Sequence, residues 1–245
     1  MKINETSGLE YFEGDLITHN DSGGDPDIYR FNTRGELLES ITIDDVRNND
    51  WEDITMDEDY LYISNSGNNF GNKKNLSIVV ADRKDRFKKL GIINFSYDGQ
   101  EDFSQRVNHP YDAEALISVN DQLILFSKNR ETLTTELFLI PKTVGDYQLR
   151  SIKSFNSEGL VTGADYSDSL KLAALVGYNR LGEQFLYTLP EFSLEKLGQV
   201  QLNKFLLPLF GKQIEAIKII DSKTFWITSE SVGTGYPMLY KVSLR

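Results

Sequence analysis

The chain has 245 residues, 40% of them hydrophobic, which allows one large domain with a sizeable core. A net charge of −11 and a pI near 4.7 exclude the basic surface that a phosphate backbone requires, so no nucleic-acid partner is expected. The absence of cysteine excludes disulfides, thiolate metal sites and Cys nucleophiles.

No run reaches the roughly 18 apolar residues of a membrane span. The start, MKINETSGLEYF, lacks the basic-then-apolar layout of a signal peptide. The protein is therefore either cytosolic or an exported product whose leader has been removed. Most apolar runs are short, rich in Ile, Leu, Tyr, Phe and Val, and broken by Asn, Asp, Gly and Ser. That pattern predicts many short strands and turns, with no linker dividing residues 1–245.

One unit recurs along the chain: a small or acidic pair before an apolar residue, a turn, then a hydrophobic strand ending in polar residues. In order, the copies are SGLEYFEGDLITHNDSG from Ser7, EDITMDEDYLYISNSG from Glu52, EALISVNDQLILFSKN from Glu114, GADYSDSLKLAALVGYN from Gly163 and EAIKIIDSKTFWITSES from Glu215. Third strands follow at DIYRFNT, LSIVVAD, ELFLIPK, QFLYTLP and MLYKVSL. Fourth strands are expected at ELLESITI, LGIINFSY, YQLRSIKSF and EKLGQVQL, and NKFLLPLFGK, split by Pro208, is expected to be an ordered loop. Four antiparallel strands per repeat predict an all-β, five-bladed β-propeller. Met1–Asn4 is expected to supply the missing last strand and close the ring. The long interval from Glu52 to Glu114 leaves six blades as the alternative.

In such a ring the first strands line a central channel, so Ser7, Glu52, Glu114, Gly163 and Glu215 should meet at its mouth. Three glutamates in one register repel unless some are protonated or a cation lies between them. An all-oxygen set suits Ca²⁺, with Ser7 and Gly163 offering carbonyls or room for water. Alternatively, the glutamates accept N–H groups of neighbouring blades and staple the ring. Asp53 should face away from Glu52 and reach a neighbouring blade, and Trp51 should pack between blades.

The ends of the second strands add an outer ring: His19, Asn20, Asp21, Ser64, Asn65, Lys128, Asn129, Tyr178, Asn179, Ser229 and Glu230. From it, Asn20, Asp21, Asn65, Lys128, Asn129 and Asn179 are candidate ligand-binding residues. His19 and Glu230 are candidate proton carriers, set against a purely structural role in polar turns. Lys128 and Arg130 offer a site to an anionic group or form a solvated basic patch.

The starts SGL, WEDI, DAEAL, TGAD and EAI, with THNDSG after the first, resemble a family of bacterial β-propeller proteins over nearly the whole chain. One Ser or acid per blade is also similar to the calcium-activated nucleotidase (apyrase) family, whose five-bladed ring holds Ca²⁺ in its channel. That resemblance implies Ser7, Glu52, Glu114 and Glu215 as ligands, and Gly163 departs from it by lacking a side-chain oxygen. Gluconolactonase and paraoxonase propellers are more loosely similar. The expected function is a monomeric binding or scaffold propeller with Ca²⁺ in the channel and a small-molecule or protein ligand at the mouth. The alternative is a Ca²⁺-dependent hydrolase of an ester, lactone or phosphoanhydride. Millimolar external Ca²⁺ would fill a modest site, which favours a secreted or periplasmic location.

Overall fold

The computed structural model describes residues 2–245 apart from Val232 and Thr234. The described residues form strands and turns only, and none forms a helix long and apolar enough to cross a membrane. Blade 1 is β1 (Thr6–Phe12), β2 (Asp15–Asn20), β3 (Asp27–Phe31) and β4 (Leu37–Thr42). Blade 2 is β5 (Asp53–Met56), β6 (Tyr60–Asn65), β7 (Leu76–Asp82) and β8 (Lys88–Tyr97). Blade 3 is β9 (Ala113–Val119), β10 (Gln122–Ser127), β11 (Thr135–Pro141) and β13 (Ser151–Phe155), with β12 (Gly145–Leu149) between the last two in sequence. Blade 4 is β14 (Leu160–Ser167), β15 (Leu172–Tyr178), β16 (Gln184–Pro190) and β17 (Asn203–Leu207), and blade 5 is β18 (Ile214–Ile219), β19 (Thr224–Ser229) and β20 (Met238–Ser243).

These five sheets form a five-bladed β-propeller. The first strands neighbour one another in a closed circle, β1 to β5, β9, β14, β18 and back to β1. A sheet with a neighbour on each side buries both faces, which is why its middle strands read as nearly unbroken apolar runs such as LILF in β10 and LAALV in β15. The cores lie between blades. Trp51 is fully buried with Phe12, Ile17 and Ile28 of blade 1 and Ile54, Leu61 and Ile63 of blade 2, the interblade position its sequence context suggests. The core joining blades 5 and 1 is the smallest, with only Leu9, Leu16, Phe31 and Ala216 fully buried.

Three details differ from the sequence expectation. The fourth strand of blade 4 is Asn203–Leu207, ending just before Pro208, whereas EKLGQVQL (195–202) forms turns and irregular chain. Phe205 and Leu207 reach the core between blades 4 and 5, while Val200, with Leu197 and Leu202, packs into the core between blades 3 and 4 without forming a strand. YQLRSIKSF divides at Arg150: β12 leaves its own blade and pairs parallel to β8 of blade 2, Gly145 with Ile93 through Leu149 with Tyr97. Finally, residues 2–4 form no strand and the fifth sheet ends at β20, while Met1 lies outside the described residues. Asn4 instead accepts Ser231 N–H through its carbonyl, at 3.1 Å. The long interval before Glu114 holds the irregular loop 98–112 and no further blade.

Polar groups fill the channel below its mouth. Asp53 Oδ2 accepts N–H from Leu116 of blade 3 at 2.8 Å and Ala164 of blade 4 at 3.1 Å, and Oδ1 accepts from Ile54 at 2.8 Å. Its side chain therefore ties three blades together, the role expected of it. At the far end Lys218 Nζ lies 2.5 Å from Glu10 and 2.7 Å from Asp165, bridging blades 5, 1 and 4.

Candidate functional site at the channel mouth

The mouth is built on irregular strand pairing. Glu114 has no partner in the ladder: Ala113 faces Ser127, Ala115 faces Phe126, and Glu114 bulges between them. Glu215 bulges in the same way between Ile214 and Ala216. A bulge turns one extra side chain out of the strand's alternation, here to the mouth of a buried channel.

In blade 4 the bulged residue is Thr162, between Val161 and Gly163. The sequence register for this blade is thus off by one. Thr162 Oγ1 donates to the Ile214 carbonyl of the next blade at 2.7 Å. Ser7 Oγ likewise reaches the next blade, donating to the Glu52 carbonyl. Gly163 has a different purpose: a Cβ there would strike the Glu215 carbonyl, so glycine permits β14 to approach β18. The ring is therefore Ser7, Glu52, Glu114, Thr162 and Glu215, with hydroxyls joining blades at two positions and carboxylates at three.

The three glutamates have different surroundings. Lys128, one of the outer-ring candidates, reaches inward and pairs with Glu114, and its ammonium lies 5.2 Å from the centre of the Tyr178 ring. Burial works against the Lys128 charge, yet Glu114, Tyr178 and Glu215 hold its pKa well above the usual value. Arg130 bonds Asp112 at 2.7 Å and stands 3.5 Å from Glu114. Even with these cations, burial pushes Glu114 up to about 7.

Among the described residues Glu52 lacks such a neutralising contact, and Glu215 feels the Lys128 charge without forming an ion pair with it. The Glu52 carboxylate makes no hydrogen bond among the described residues, and burial, then Glu114 and Asp21, raise it well above the carboxylate range. Glu215 Oε1 is buried without a partner, and burial raises that group as well.

Asp21, after β2, and Asp50, before β5, complete the mouth. Backbone bonds join their loops: Trp51 N–H donates to the Asp21 carbonyl at 2.9 Å, and Asp21 N–H to the Glu5 carbonyl at 2.8 Å. One carboxylate oxygen each from Asp21, Asp50 and Glu52 fall within 4.8 Å of one another. Asp21 Oδ1 is buried and unpartnered, while Asp50 pairs with the partly exposed Lys73. Burial and the charges of Asp50, Glu114 and Glu215 push Asp21 up to about 8, and burial beside Asp21 does the same to Glu230. Three oxygens at this spacing could face one hard cation. The residues present fit such an ion because the buried Asp21 Oδ1 of this group has nothing else to bind.

Gly67 keeps the group tight, since a Cβ there would collide with the carboxylates of Glu52 and Asp50. Gly67→Ala is expected to weaken cation binding at the mouth at least tenfold, about 1.4 kcal/mol, with the strand content unchanged. Calcium titration calorimetry alongside circular dichroism checks both. A second expectation concerns Lys128→Met, which removes the ammonium from Glu114 and Glu215. Carboxylates with raised folded pKa values stay protonated in the folded state, so stability falls as pH rises past their unfolded range. The variant should lose several degrees more melting temperature than the parent at pH 8, and little at pH 4.5.

The outer-ring asparagines serve the loops. Asn20 Oδ1 accepts N–H from Asn4 and Glu5, at 3.1 and 3.2 Å, and Asn65 Oδ1 accepts from Asp50 at 3.2 Å. Asn129 Oδ1 takes the Glu131 and Thr132 N–H groups at 3.0 Å, and Asn179 Oδ1 takes those of Leu181 and Glu183 at 3.0 and 3.1 Å, as Asx turns do. His19 is fully buried, with its ring 5.6 Å from that of Trp51 and burial lowering its pKa to about 4. It faces Gly8 with an unpartnered Nε2 and does not reach solvent.

Asp50 and Asp112 were not among the sequence candidates. A signal for them exists: each stands two residues before a ring glutamate, in DWE and DAE, and Gln213 holds the same place before Glu215. Glu5 stands likewise before Ser7.

No family model and no curated protein matches the sequence. Among solved structures, the chain is similar to a PQQ-bound aldose sugar dehydrogenase from Streptomyces coelicolor, at 14% identity and a TM-score of 0.54, covering 98% of this chain and 94% of that one. It is also similar to U3-55K, at 12% identity and a TM-score of 0.46, covering 92% and 58%, and to the RRP9 WD40 repeats, at 11% and 0.45, covering 97% and 64%. At these identities the likeness is one of fold, and the fold of this chain is the five-bladed propeller.

Proposed function

We propose that this protein is a binding propeller whose channel mouth holds a divalent cation, Ca²⁺ by the chemistry of its donors. The observation that carries the reading is the cluster of Asp21, Asp50 and Glu52, whose oxygens lie within 4.8 Å of one another while a buried Asp21 oxygen has no partner. Carboxylates this close are stable only when protonated or bridged by positive charge. The donors are all carboxylate oxygens with no histidine among them, and they come from two loops and a strand start, which suits the adaptable shell of Ca²⁺ better than the strict octahedron of Mg²⁺ or the N/S preference of Zn²⁺.

This reading moves the cation from the three-glutamate centre expected from sequence toward blades 1 and 2. Lys128 already supplies a positive charge to Glu114, and Glu52 is the member common to both sets. The protein's residues would contribute placement: Trp51 and Asn65 fix the Asp50–Glu52 loop, and Ser7 holds the Glu52 backbone. A partner group at the mouth would complete the ion's shell, so the ligand class is one with exposed oxygens, such as a carboxylate. The hydrolase alternative loses one of its two expected proton carriers, because His19 is sealed from solvent.

The test is calorimetric titration of chelator-treated protein with CaCl₂ and MgCl₂, repeated for Glu52→Gln and Asp21→Asn. One equivalent of Ca²⁺ bound by the parent and a loss of tenfold or more in each variant are expected. Absence of Ca²⁺ binding at millimolar concentration overturns the proposal.

A further inference from the structure

Blade 5 stops one strand short. In blades 1 to 4 the third strand is covered by an antiparallel fourth: β3 by β4, β7 by β8, β11 by β13 and β16 by β17. No strand covers β20 among the described residues. Its exposure reflects this: Met238, Lys241 and Ser243 are exposed and no residue of β20 is fully buried, whereas β7 is buried at all but its last residue.

The gap has shape and charge. Between β20 and blade 1 lies a groove of about 100 Å³ whose walls include Ile3, Phe31, Pro237, Met238 and Leu239. It adjoins the smallest of the interblade cores. Lys223, Lys241 and Arg245 are exposed beside the open edge and form no ion pair among the described residues. In a chain of net charge −11 this basic edge is locally out of character.

We propose that blade 5 is completed by an extended segment of a partner polypeptide. The segment is about five residues of alternating apolar and acidic type, adding antiparallel to β20. Main-chain bonds along β20 give affinity, the groove at its Pro237–Leu239 end receives one apolar side chain, and the three cations select carboxylates. The molecule already uses edge addition within its own chain, where β12 joins β8. A second copy pairing edge to edge through β20 is disfavoured as occupant, because it would set Lys223, Lys241 and Arg245 against their own counterparts.

The experiment uses the full chain and three capped ten-residue peptides: alternating Val and Glu, alternating Val and Lys, and the Val–Glu peptide with proline at every third position. Binding is read by calorimetry and by the fluorescence of Trp226, which pairs directly with Lys241 across the β19–β20 ladder. Amide hydrogen exchange locates it. The acidic peptide should bind with Kd below about 100 μM and protect the amides of residues 239–243. The basic peptide should bind at least tenfold more weakly and the proline peptide not at all. The double variant Lys241→Glu, Arg245→Glu should reverse the order of acidic and basic peptides. The proposal is overturned if the acidic peptide fails to bind at 1 mM, or if the proline peptide binds equally. It is also overturned if the β20 amides of the free protein are already as protected as those of β16. Protection that appears with protein concentration alone would identify a second copy as occupant and likewise overturn it.

Discussion

Adding Ca²⁺ to chelator-treated protein at pH 8 is expected to raise the melting temperature by about 5–10 °C, and the same addition at pH 5.5 to raise it far less. Both follow from the carboxylates at the mouth. With ligand at a hundred times Kd, binding to the folded state alone adds about 2.7 kcal/mol. At roughly 2–4 °C per kcal/mol for a domain of this size, that gives the range stated. The pH dependence follows from protons. Burial and mutual repulsion push Asp21 and Glu230 up to about 8 and Glu114 up to about 7. The folded protein therefore holds protons that the unfolded chain releases near pH 4, and the metal-free protein loses stability as pH climbs from there to about 8. A cation must displace those protons, so it binds better and stabilises more where they have already left. Differential scanning calorimetry across pH 5 to 8.5, with and without 5 mM CaCl₂, checks the sign. A metal-free melting temperature that rises with pH over this window, or a Ca²⁺ effect that is independent of pH, contradicts the account. Glu52→Gln should abolish the Ca²⁺ increment and make the metal-free protein less sensitive to pH.

Asp53→Ala is expected to cost about 3–5 kcal/mol of unfolding free energy, the largest loss from a single side chain that touches no ligand. The carboxylate receives N–H groups from Ile54, Leu116 and Ala164, each on the innermost strand of a different blade. All lie in a buried centre, with Asp53 only 1% exposed. Truncation leaves those donors without acceptors, and each orphan costs about 1–3 kcal/mol. Asp53→Asn keeps one acceptor oxygen but turns an NH₂ group toward N–H donors, so about half the loss is expected. Urea unfolding measures both, and a loss under 1 kcal/mol for the alanine variant contradicts the stapling role. Calcium affinity gives an independent reading, since Asp53 lies below the mouth and its removal should change it little.

The fold was legible because its unit repeats. Five hydrophobic strand pairs at similar spacing, each followed by a third, leave little choice of topology, and all five third strands fall where the sequence places them. The inner ring was legible at Glu52, Glu114 and Glu215 for the same reason. It failed at blade 4 because a bulge adds one residue without any mark in composition, so alignment on GAD displaced the ring position from Thr162 to Gly163. The fourth strand of blade 4 was misplaced because Pro208 resembles a strand breaker, whereas it bounds a strand that ends at Leu207.

The site was less legible than the fold. Its carboxylate cluster joins Asp21, at the end of one blade, to Asp50 and Glu52, at the start of the next, and no local pattern reports that junction. The reach of Lys128 into the ring is likewise a matter of side-chain direction. Its long stem lets it leave an outer position and neutralise an inner one, which a register of residue types does not show. The outer asparagines matched the chemistry of ligand contacts, and the same chemistry served their own turns.

The Lys218 bridge between Glu10 and Asp165 closes the channel opposite the acidic mouth, with Asp53 spanning it between. Lys218 fastens blades 1, 4 and 5, Asp53 fastens blades 2, 3 and 4, and blade 4 belongs to both sets. No blade can therefore leave the ring without breaking one of two buried polar clasps, so the seams are made to open together or not at all.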